Sequence, residues 1–238
     1  MRWITLFLAL STPSLAETPR PPMVPLEAHP DWAAIGRVNV TGYRRRSACT
    51  GTLVSPNRVV TAAHCLFRDG EPARVEDIRF AAGWFRGTPA AVGRVTSVDF
   101  PGLWSPGAPA TADTIASDVA ILTLSDPITD VEPLPVSKGD GGEMRIIGYR
   151  WDRPHALTDH TPCIGTARFA PALGLTCRVV SGTSGAPVLT LEDGAWAVMG
   201  VTSARADGIT LAAPISRQSI SRSQTPGIES ASTPMRRD

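Results

Sequence analysis

The sequence has 238 residues, of which 42% are hydrophobic and 19% are charged. This is enough to bury a core, either as one large β unit or as two small barrels. The formal net charge is +1, so no long-range field favours binding to nucleic acid or to an acidic membrane surface.

The first residues have the pattern of an export signal. Arg2 supplies a positive start, residues 3–10 form an apolar run, and Ser14 and Ala16 are small residues at positions that a signal peptidase reads. The apolar run is too short to span a bilayer. We therefore expect residues 1–16 to be a cleaved signal peptide and the protein to be secreted or periplasmic.

The two ends of the mature chain have a low-complexity composition. Residues 17–33 are rich in proline, which favours an extended tether or a short propeptide. Residues 222–238 are rich in Ser, Thr, Pro and Arg and contain few residues that form cores. We expect this tail to be disordered.

Between these ends the sequence consists of short β-type runs separated by turn residues. Residues 50–55 and 58–61 flank Pro56 and Asn57, which predicts a strand, a turn and a strand. Further strands are predicted at residues 92–100, 119–124, 145–148, 188–191, 195–202 and 209–213. No window has a sustained helical period, so the pattern predicts an all-β sandwich or barrel. Residues 126–137 contain three prolines and are interpreted as the connection between two halves.

The sequence contains four cysteines, an even number that in an exported protein indicates two disulfides. Their order favours local pairs, Cys49 with Cys65 and Cys163 with Cys177. Four cysteines allow three connectivities, so the pairing stays open on the sequence alone. A metal site at His155, His160 and Cys163 is disfavoured because their spacing matches no closed zinc pattern.

Three segments carry residues suited to nucleophilic catalysis. Ser184 lies between glycines in GTSGAP, where a tight turn would expose the hydroxyl and align backbone N–H groups. His64 follows a predicted strand in TAAHC, where a disulfide at Cys65 would hold the imidazole for general-base work. Asp118 begins the apolar run SDVAIL and could orient the histidine. Taken singly, these residues also fit an ordinary hairpin loop, a packed ring and a solvated turn.

Together the three segments resemble the signature blocks of chymotrypsin-like serine peptidases. TAAHC, SDVAIL and GTSGAPV occur in that family's order, histidine before aspartate before serine. The sixteen-residue step from Cys49 to Cys65 also matches the family's disulfide ahead of the histidine. The likeness covers residues 34–215.

The resemblance implies an all-β fold of two six-stranded antiparallel barrels, residues 34–130 and 131–221, with the active site in the cleft between them. It implies serine endopeptidase activity on a protein or peptide substrate. No cofactor, no metal, no nucleic acid and no stable membrane insertion are expected, and a monomer is favoured.

The resemblance also implies a role for each catalytic residue. Ser184 would attack the scissile carbonyl, His64 would take and return the proton, and Asp118 would orient His64. The N–H groups of Gly182 and Ser184 would form the oxyanion hole. Substrate binding is assigned by position to Arg178, Ser181, Thr202, Ser203 and Arg205, with Ser203 also touching the catalytic aspartate.

Three positions depart from the family pattern. Thr183 stands where members activated from zymogens have an aspartate, so the chain resembles the bacterial secreted branch, which includes the glutamyl endopeptidases. We expect its oxyanion loop to be preorganised without an N-terminal switch. Ala186 replaces a glycine. Arg178 argues against trypsin-like specificity. Arg178 or Arg205 would favour an acidic side chain in the residue before the scissile bond. The alternative is that both arginines point to solvent.

Two other classes of protein share features with this sequence and are compared with it. A catalytically silent binding protein on the same fold is the main alternative, although all three triad positions are intact. An α/β-hydrolase is excluded because that fold places the serine before the acid and the histidine.

Overall fold

The computed structural model of the protein describes residues 20–40, 48–139 and 142–222. The predicted signal peptide, residues 1–16, and residues 223–238 of the predicted tail lie outside the described residues. The described chain is mainly β, with fifteen strands and two short α-helices. The fold class expected from the sequence is therefore confirmed.

Six strands of the N-terminal half form a closed antiparallel barrel. Strands β1 to β8 comprise Ile35–Val40, Ala48–Ser55, Arg58–Thr61, Phe67–Arg68, Glu71–Pro72, Ile78–Ala82, Ala91–Asp99 and Ala120–Leu124. The barrel order is β1-β2-β3-β8-β7-β6, and β4 and β5 form a separate two-stranded sheet. The predicted turn at Pro56 and Asn57 joins β2 to β3, with Leu53 opposite Val59. Both side chains are buried, as expected for apolar residues on the inner face of a barrel.

The C-terminal half is a single seven-stranded antiparallel sheet. Strands β9 to β15 comprise Met144–Arg150, Arg153–Asp159, Gly165–Thr166, Leu173–Leu175, Pro187–Glu192, Ala195–Ala206 and Ile209–Pro214. Their order is β10-β9-β13-β14-β15-β12-β11. This half has one strand more than the six expected, because the short β11 adds to the edge at β12.

Within residues 20–40, 48–139 and 142–222, helical structure is limited to short segments. The α-helices are α1 (Ala112–Ala116) and α2 (Arg217–Arg222), and 3-10 turns occur at Leu26–Ala28, Pro30–Trp32, Ala63–Leu66, Val75–Asp77 and Ala167–Phe169. Helix α1 begins after Thr111, whose hydroxyl accepts the N–H of Thr114 and so caps the first turn. Among the described residues, none of the helices has the length and apolarity required to cross a membrane.

The apolar core has a part in each half and a part shared by both. Phe80 and Leu122 lie in the cluster inside the barrel, and Ile146 lies in a cluster of the C-terminal sheet. A third cluster joins the halves and includes Ile121 of β8 and Tyr149 of β9. Because burial of apolar surface is the main stabilising term, this shared cluster holds the two halves together.

The proline-rich N-terminal segment is packed where the structure describes it. Val24 donates its N–H to the carbonyl of Leu157 at 3.0 Å, and Asp159 donates its N–H to the carbonyl of Pro22 at 3.0 Å. Val24 and Trp32 both belong to the shared core cluster. Residues 20–33 therefore extend the sheet at β10 and cover the core.

Candidate active site

His64 is held at the end of β3 by its neighbours. Ala62 and Ala63 are fully buried, so only small side chains fit before the histidine. His64 lies in the 3-10 turn Ala63–Leu66. Cys65 in the same turn is bonded to Cys49 of β2, with an S–S distance of 2.03 Å. The disulfide thus fastens the turn that carries the imidazole to the neighbouring strand.

Asp118 is buried directly beside His64. Strands β3 and β8 pair with Thr61 opposite Ala120, so the residues just after β3 and just before β8 are adjacent. Asp118 is 2% exposed. One carboxylate oxygen accepts the backbone N–H of His64 at 2.9 Å, and the other is 2.6 Å from His64 Nδ1. Ser203 Oγ donates to the same oxygen as the imidazole.

These contacts determine the charge state of Asp118. Burial alone would raise the pKa of its carboxyl, but the hydrogen bonds from His64 and Ser203 and the nearby imidazole outweigh burial and hold the pKa below its usual value. Asp118 is therefore an anion at neutral pH. An anionic acceptor at Nδ1 keeps the proton on that nitrogen and leaves Nε2 facing the other way as a base.

Ser184 lies on the loop of residues 176–186 between β12 and β13, called the serine loop below, and this loop contacts both halves of the protein. Its carbonyl accepts the N–H of Thr50 at 2.8 Å, which ties the loop to β2. The next residue, Gly185, donates its N–H to the carbonyl of Thr202 at 2.7 Å, which ties the loop to β14. Gly185 has a φ of +77°, and a Cβ there would lie 3.1 Å from the N atom of Ala62 and closer still to Thr50. The serine loop therefore packs against the segment that leads into His64.

The side chains of Ser184 and His64 come from segments in contact, but among the described residues no hydrogen bond joins Ser184 Oγ to His64 Nε2. Catalytic hydrogen bonds are often long without substrate and shorten when substrate binds. The structure thus pairs His64 with Asp118 by hydrogen bonds and places the loop of Ser184 against the segment that leads into His64.

Backbone N–H groups near Ser184 have the pattern of an oxyanion hole. Among the described residues, neither the N–H of Gly182 nor that of Ser184 donates to another protein group. The intervening N–H of Thr183 is bonded to the carbonyl of Val180 at 3.1 Å. Gly182 has a φ of +91°, which a residue with a side chain rarely adopts. Two unbonded N–H groups beside one hydroxyl are suited to bind a developing oxyanion.

Arg178 and Arg205 line one cavity of about 330 Å³. Both side chains are exposed, and Arg205 donates to the carbonyl of Val179 at 3.2 Å. The same cavity contains Asp207, whose carboxylate is 3.3 Å from the guanidinium of Arg168. The two arginines of the cavity therefore lack a carboxylate partner within it, and its lining is cationic.

Thr202 and Ser203 differ in what they offer a substrate. Thr202 is 2% exposed, and both its N–H and its carbonyl are bonded to the serine loop. Strand β13 pairs with β14 only as far as Val201. From Ser203 onward β14 has β15 on one side only, which leaves an open edge for an extended chain. Ser181 is exposed, and its carbonyl accepts the N–H of Trp151 at 2.9 Å.

The cysteines are all used in disulfides, and Cys163 is bonded to Cys177 with an S–S distance of 2.10 Å. The one group of potential metal ligands found among the described residues is His64 with Cys49 and Cys65. Because both sulfurs are in a disulfide, this group offers no thiolate to an ion. Two disulfides indicate an oxidising compartment, extracellular or periplasmic.

Sequence reasoning did not identify Thr50 or Tyr149 as part of the site. Thr50 is fully buried, and its hydroxyl accepts the N–H of Tyr149 and donates to the carbonyl of Gly182. Thr50 adjoins Cys49, but no motif distinguishes it from other threonines of a strand. Its contacts arise only when the two halves meet.

A closed β-barrel and a second sheet around a buried Asp–His pair and a glycine-flanked serine define a chymotrypsin-like serine peptidase. The family profile of the trypsin-like peptidase domain matches residues 49–201. The chain belongs to this family and is a serine-type peptidase, a hydrolase that acts on proteins or peptides. A search of curated protein sequences found no significant match.

Solved structures share the fold at low sequence identity. One is a thermostable serine protease, AL20, from an extremophilic microorganism, with a TM-score of 0.65 and 18% identity over 83% of this chain and 99% of that one. Another is the protease Anisep from Arthrobacter nicotinovorans, with a TM-score of 0.60 and 19% identity over 76% of this chain and 90% of that one. These matches do not single out the glutamyl endopeptidases, so that part of the expectation stays a prediction.

Proposed function

We propose that this protein is a secreted serine endopeptidase that cleaves peptide bonds through an acyl-enzyme on Ser184. The observation that carries the proposal is the buried, anionic Asp118, which binds both the backbone N–H and Nδ1 of His64. A buried carboxylate is costly unless it is fully hydrogen-bonded, and its partner here is a potential general base. The contacts between the serine loop and the segment before His64 give further support.

The proposed reaction has two steps. Ser184 Oγ attacks the scissile carbonyl carbon while His64 Nε2 takes the hydroxyl proton, and the oxyanion accepts the N–H groups of Gly182 and Ser184. Collapse of this intermediate breaks the C–N bond, and His64 returns the proton to the leaving amine. Water then attacks the acyl carbon and gives a proton to His64, which passes it to Ser184 Oγ as the ester bond breaks, so that the acid is released and the serine hydroxyl is restored. Asp118 stays anionic throughout and stabilises the imidazolium.

Export is part of the proposal. Two disulfides favour an oxidising compartment. Residues 1–16 have the composition of a signal peptide. Together these features support secretion or export to a periplasm.

A fluorophosphonate probe tests the nucleophile. We expect stoichiometric labelling of the wild-type protein and none of Ser184→Ala, with peptidase activity falling by about 10⁶-fold in the variant. Ser97→Ala is the matched control, because Ser97 is an exposed serine on β7 and should leave labelling unchanged. Failure of the wild-type protein to react would favour the alternative, a catalytically silent binding protein on the same fold.

We also propose that the cationic cavity prefers an acidic side chain before the scissile bond. The two arginines that line it, Arg178 and Arg205, support this preference. In peptides that differ only at that residue, Glu should be cleaved about fivefold faster than Leu, because an exposed ion pair contributes up to about 1 kcal/mol. Arg205→Gln should reduce the ratio, whereas Arg94→Gln, at an exposed site on β7, should not. Equal cleavage of Glu and Leu peptides by the wild-type enzyme would refute the preference.

A further inference from the structure

The hydroxyl of Thr50 connects the N-terminal barrel to the loop that carries the proposed oxyanion hole. Thr50 lies in β2 and is fully buried. Its Oγ1 donates to the carbonyl of Gly182 at 3.0 Å and accepts the N–H of Tyr149 at 3.1 Å. Its backbone N–H donates to the carbonyl of Ser184 at 2.8 Å. One residue of the first half thus binds the carbonyls of both residues whose N–H groups would hold the oxyanion.

These bonds determine which way the peptide groups on either side of Gly182 face. In a trans peptide the C=O and the N–H point in opposite directions. The carbonyl of Ser181 is bonded to Trp151, so the N–H of Gly182 points away from Trp151. The carbonyl of Gly182 is bonded to Thr50, so the next peptide group cannot rotate either. With both flanking peptides held, Gly182 keeps the positive φ of +91° that exposes its N–H.

The backbone of Tyr149 is held by a second hydroxyl, which comes from the loop of Ser184. Thr183 is fully buried and its Oγ1 donates to the carbonyl of Tyr149 at 3.3 Å. The phenol of Tyr149 donates to the carbonyl of Trp84 at 2.8 Å, which fixes this residue in the barrel–sheet interface. Thr50 and Thr183 therefore bind the N–H and the carbonyl of one rigid residue. No charged group takes part in these contacts.

We propose that Thr50 is a positioning residue for catalysis, whose hydroxyl keeps the serine loop in the shape that leaves the N–H groups of Gly182 and Ser184 free. The inference rests on the proposed function, in which these two groups stabilise the oxyanion. Thr50 touches no substrate atom and acts through Gly182. Neutral hydrogen bonds within the folded chain hold the loop. The loop therefore needs no ion pair, and position 183 can be an uncharged threonine.

Thr50→Val tests the inference because it removes the hydroxyl and keeps the shape of the side chain. Thr52→Val is the matched control: Thr52 is a fully buried threonine of the same strand, and its hydroxyl has no partner among the described residues. Thr50→Ser keeps the hydroxyl and should restore function. Thr50→Ala is measured in parallel, because it removes the same hydroxyl with less steric demand. Near-UV circular dichroism identifies the variants that keep the native fold.

The readouts are the rate of labelling by a fluorophosphonate and the separate kcat and KM for a peptide substrate. Loss of one oxyanion donor lowers kcat by about 10²–10³-fold, so partial misorientation in Thr50→Val should lower kcat and the labelling rate by about 10–100-fold. KM should change by less than about threefold, because the hydroxyl contributes to the transition state and not to ground-state binding. Thr50→Ser and Thr52→Val should stay close to wild type.

A labelling rate and a kcat equal to wild type in folded Thr50→Val or Thr50→Ala would overturn the inference. A loss of kcat in Thr52→Val as large as that in Thr50→Val would also overturn it. If the proposed function is wrong, the wild-type protein itself will not react with the probe, and this result is distinct from both of these outcomes. A loss of kcat that Thr50→Ser restores would support the inference.

Discussion

At the scale of single residues, Asp118 shows how the site is stabilised. The carboxylate gives up nearly all contact with water, which opposes its charged form. Two N–H donors of His64 and the hydroxyl of Ser203 compensate for that loss. Together with the charge of the nearby imidazole, these hydrogen bonds outweigh the effect of burial and lower the pKa of the carboxyl.

This pKa shift predicts how stability depends on pH. Because the folded pKa of Asp118 lies below the unfolded value of about 3.9, its contribution to the free energy of unfolding is complete above that pH and is lost as pH falls through the folded pKa. Urea unfolding should therefore give a difference between wild type and Asp118→Asn that becomes smaller as pH falls below about 4.

Asp130→Asn is the control for this measurement, because it removes an exposed carboxyl elsewhere in the chain. A difference between wild type and Asp118→Asn that grows as pH falls below about 4 would contradict the predicted sign. It would mean that the carboxyl is destabilised in the folded protein.

At the scale of secondary-structure elements, the serine loop depends on close approach between backbones. Gly185 lies against the carbonyl of Thr50 and the hydroxyl of Thr61, both parts of the barrel. Gly194, in the turn between β13 and β14, has a similar φ of +80° but no atoms within 4 Å of an added Cβ. Substitution of Gly194 by alanine therefore measures the cost of the backbone conformation alone, and substitution of Gly185 measures that cost together with the cost of steric overlap.

We expect Gly194→Ala to lower the free energy of unfolding by about 1–2 kcal/mol, the usual cost of a left-handed conformation for an L-residue. Gly185→Ala should cost several kcal/mol more, because the rigid backbone and buried side chain it meets cannot move aside. Urea unfolding measures both changes. Labelling of Ser184 should be lost in Gly185→Ala and kept in Gly194→Ala. Similar stabilities of the two variants would show that the loop tolerates a shift.

Strands were predictable from the sequence where β-type residues form an uninterrupted run bounded by turn residues. The hairpin of β2 and β3 was expected because two β-type runs flank a turn at Pro56 and Asn57. The predicted runs also located β7, β8, β13, β14 and β15 to within a few residues. The exception is the end of β14, which continues to Ala206. Strands β1, β6 and β10 were not singled out. Each contains charged or small residues, such as Arg37 in β1, that interrupt the alternation. Arg37 is buried because its guanidinium lies over the ring of Trp84.

At the scale of the whole molecule, the site is divided between the halves. His64 and Asp118 come from the barrel, and Ser184 and Ser203 come from the C-terminal sheet. The shared core cluster and the bonds of Thr50 bring these parts into one place. Activity should therefore require that both halves stay docked, because neither contains a complete set of reacting groups.

The sequence by itself determined the class of protein and pointed to the residues that we propose carry its chemistry. Serine between glycines, histidine before cysteine and aspartate before an apolar strand are local patterns, so they can be read without coordinates. Only the tertiary structure decided which of these groups meet. Asp118 is 54 residues from His64 and 85 from Ser203 in the chain. Thr50 is 132 residues from Gly182. Hydrogen bonds between such distant residues, which lower the pKa of Asp118 despite its burial, exist only once packing has excluded water.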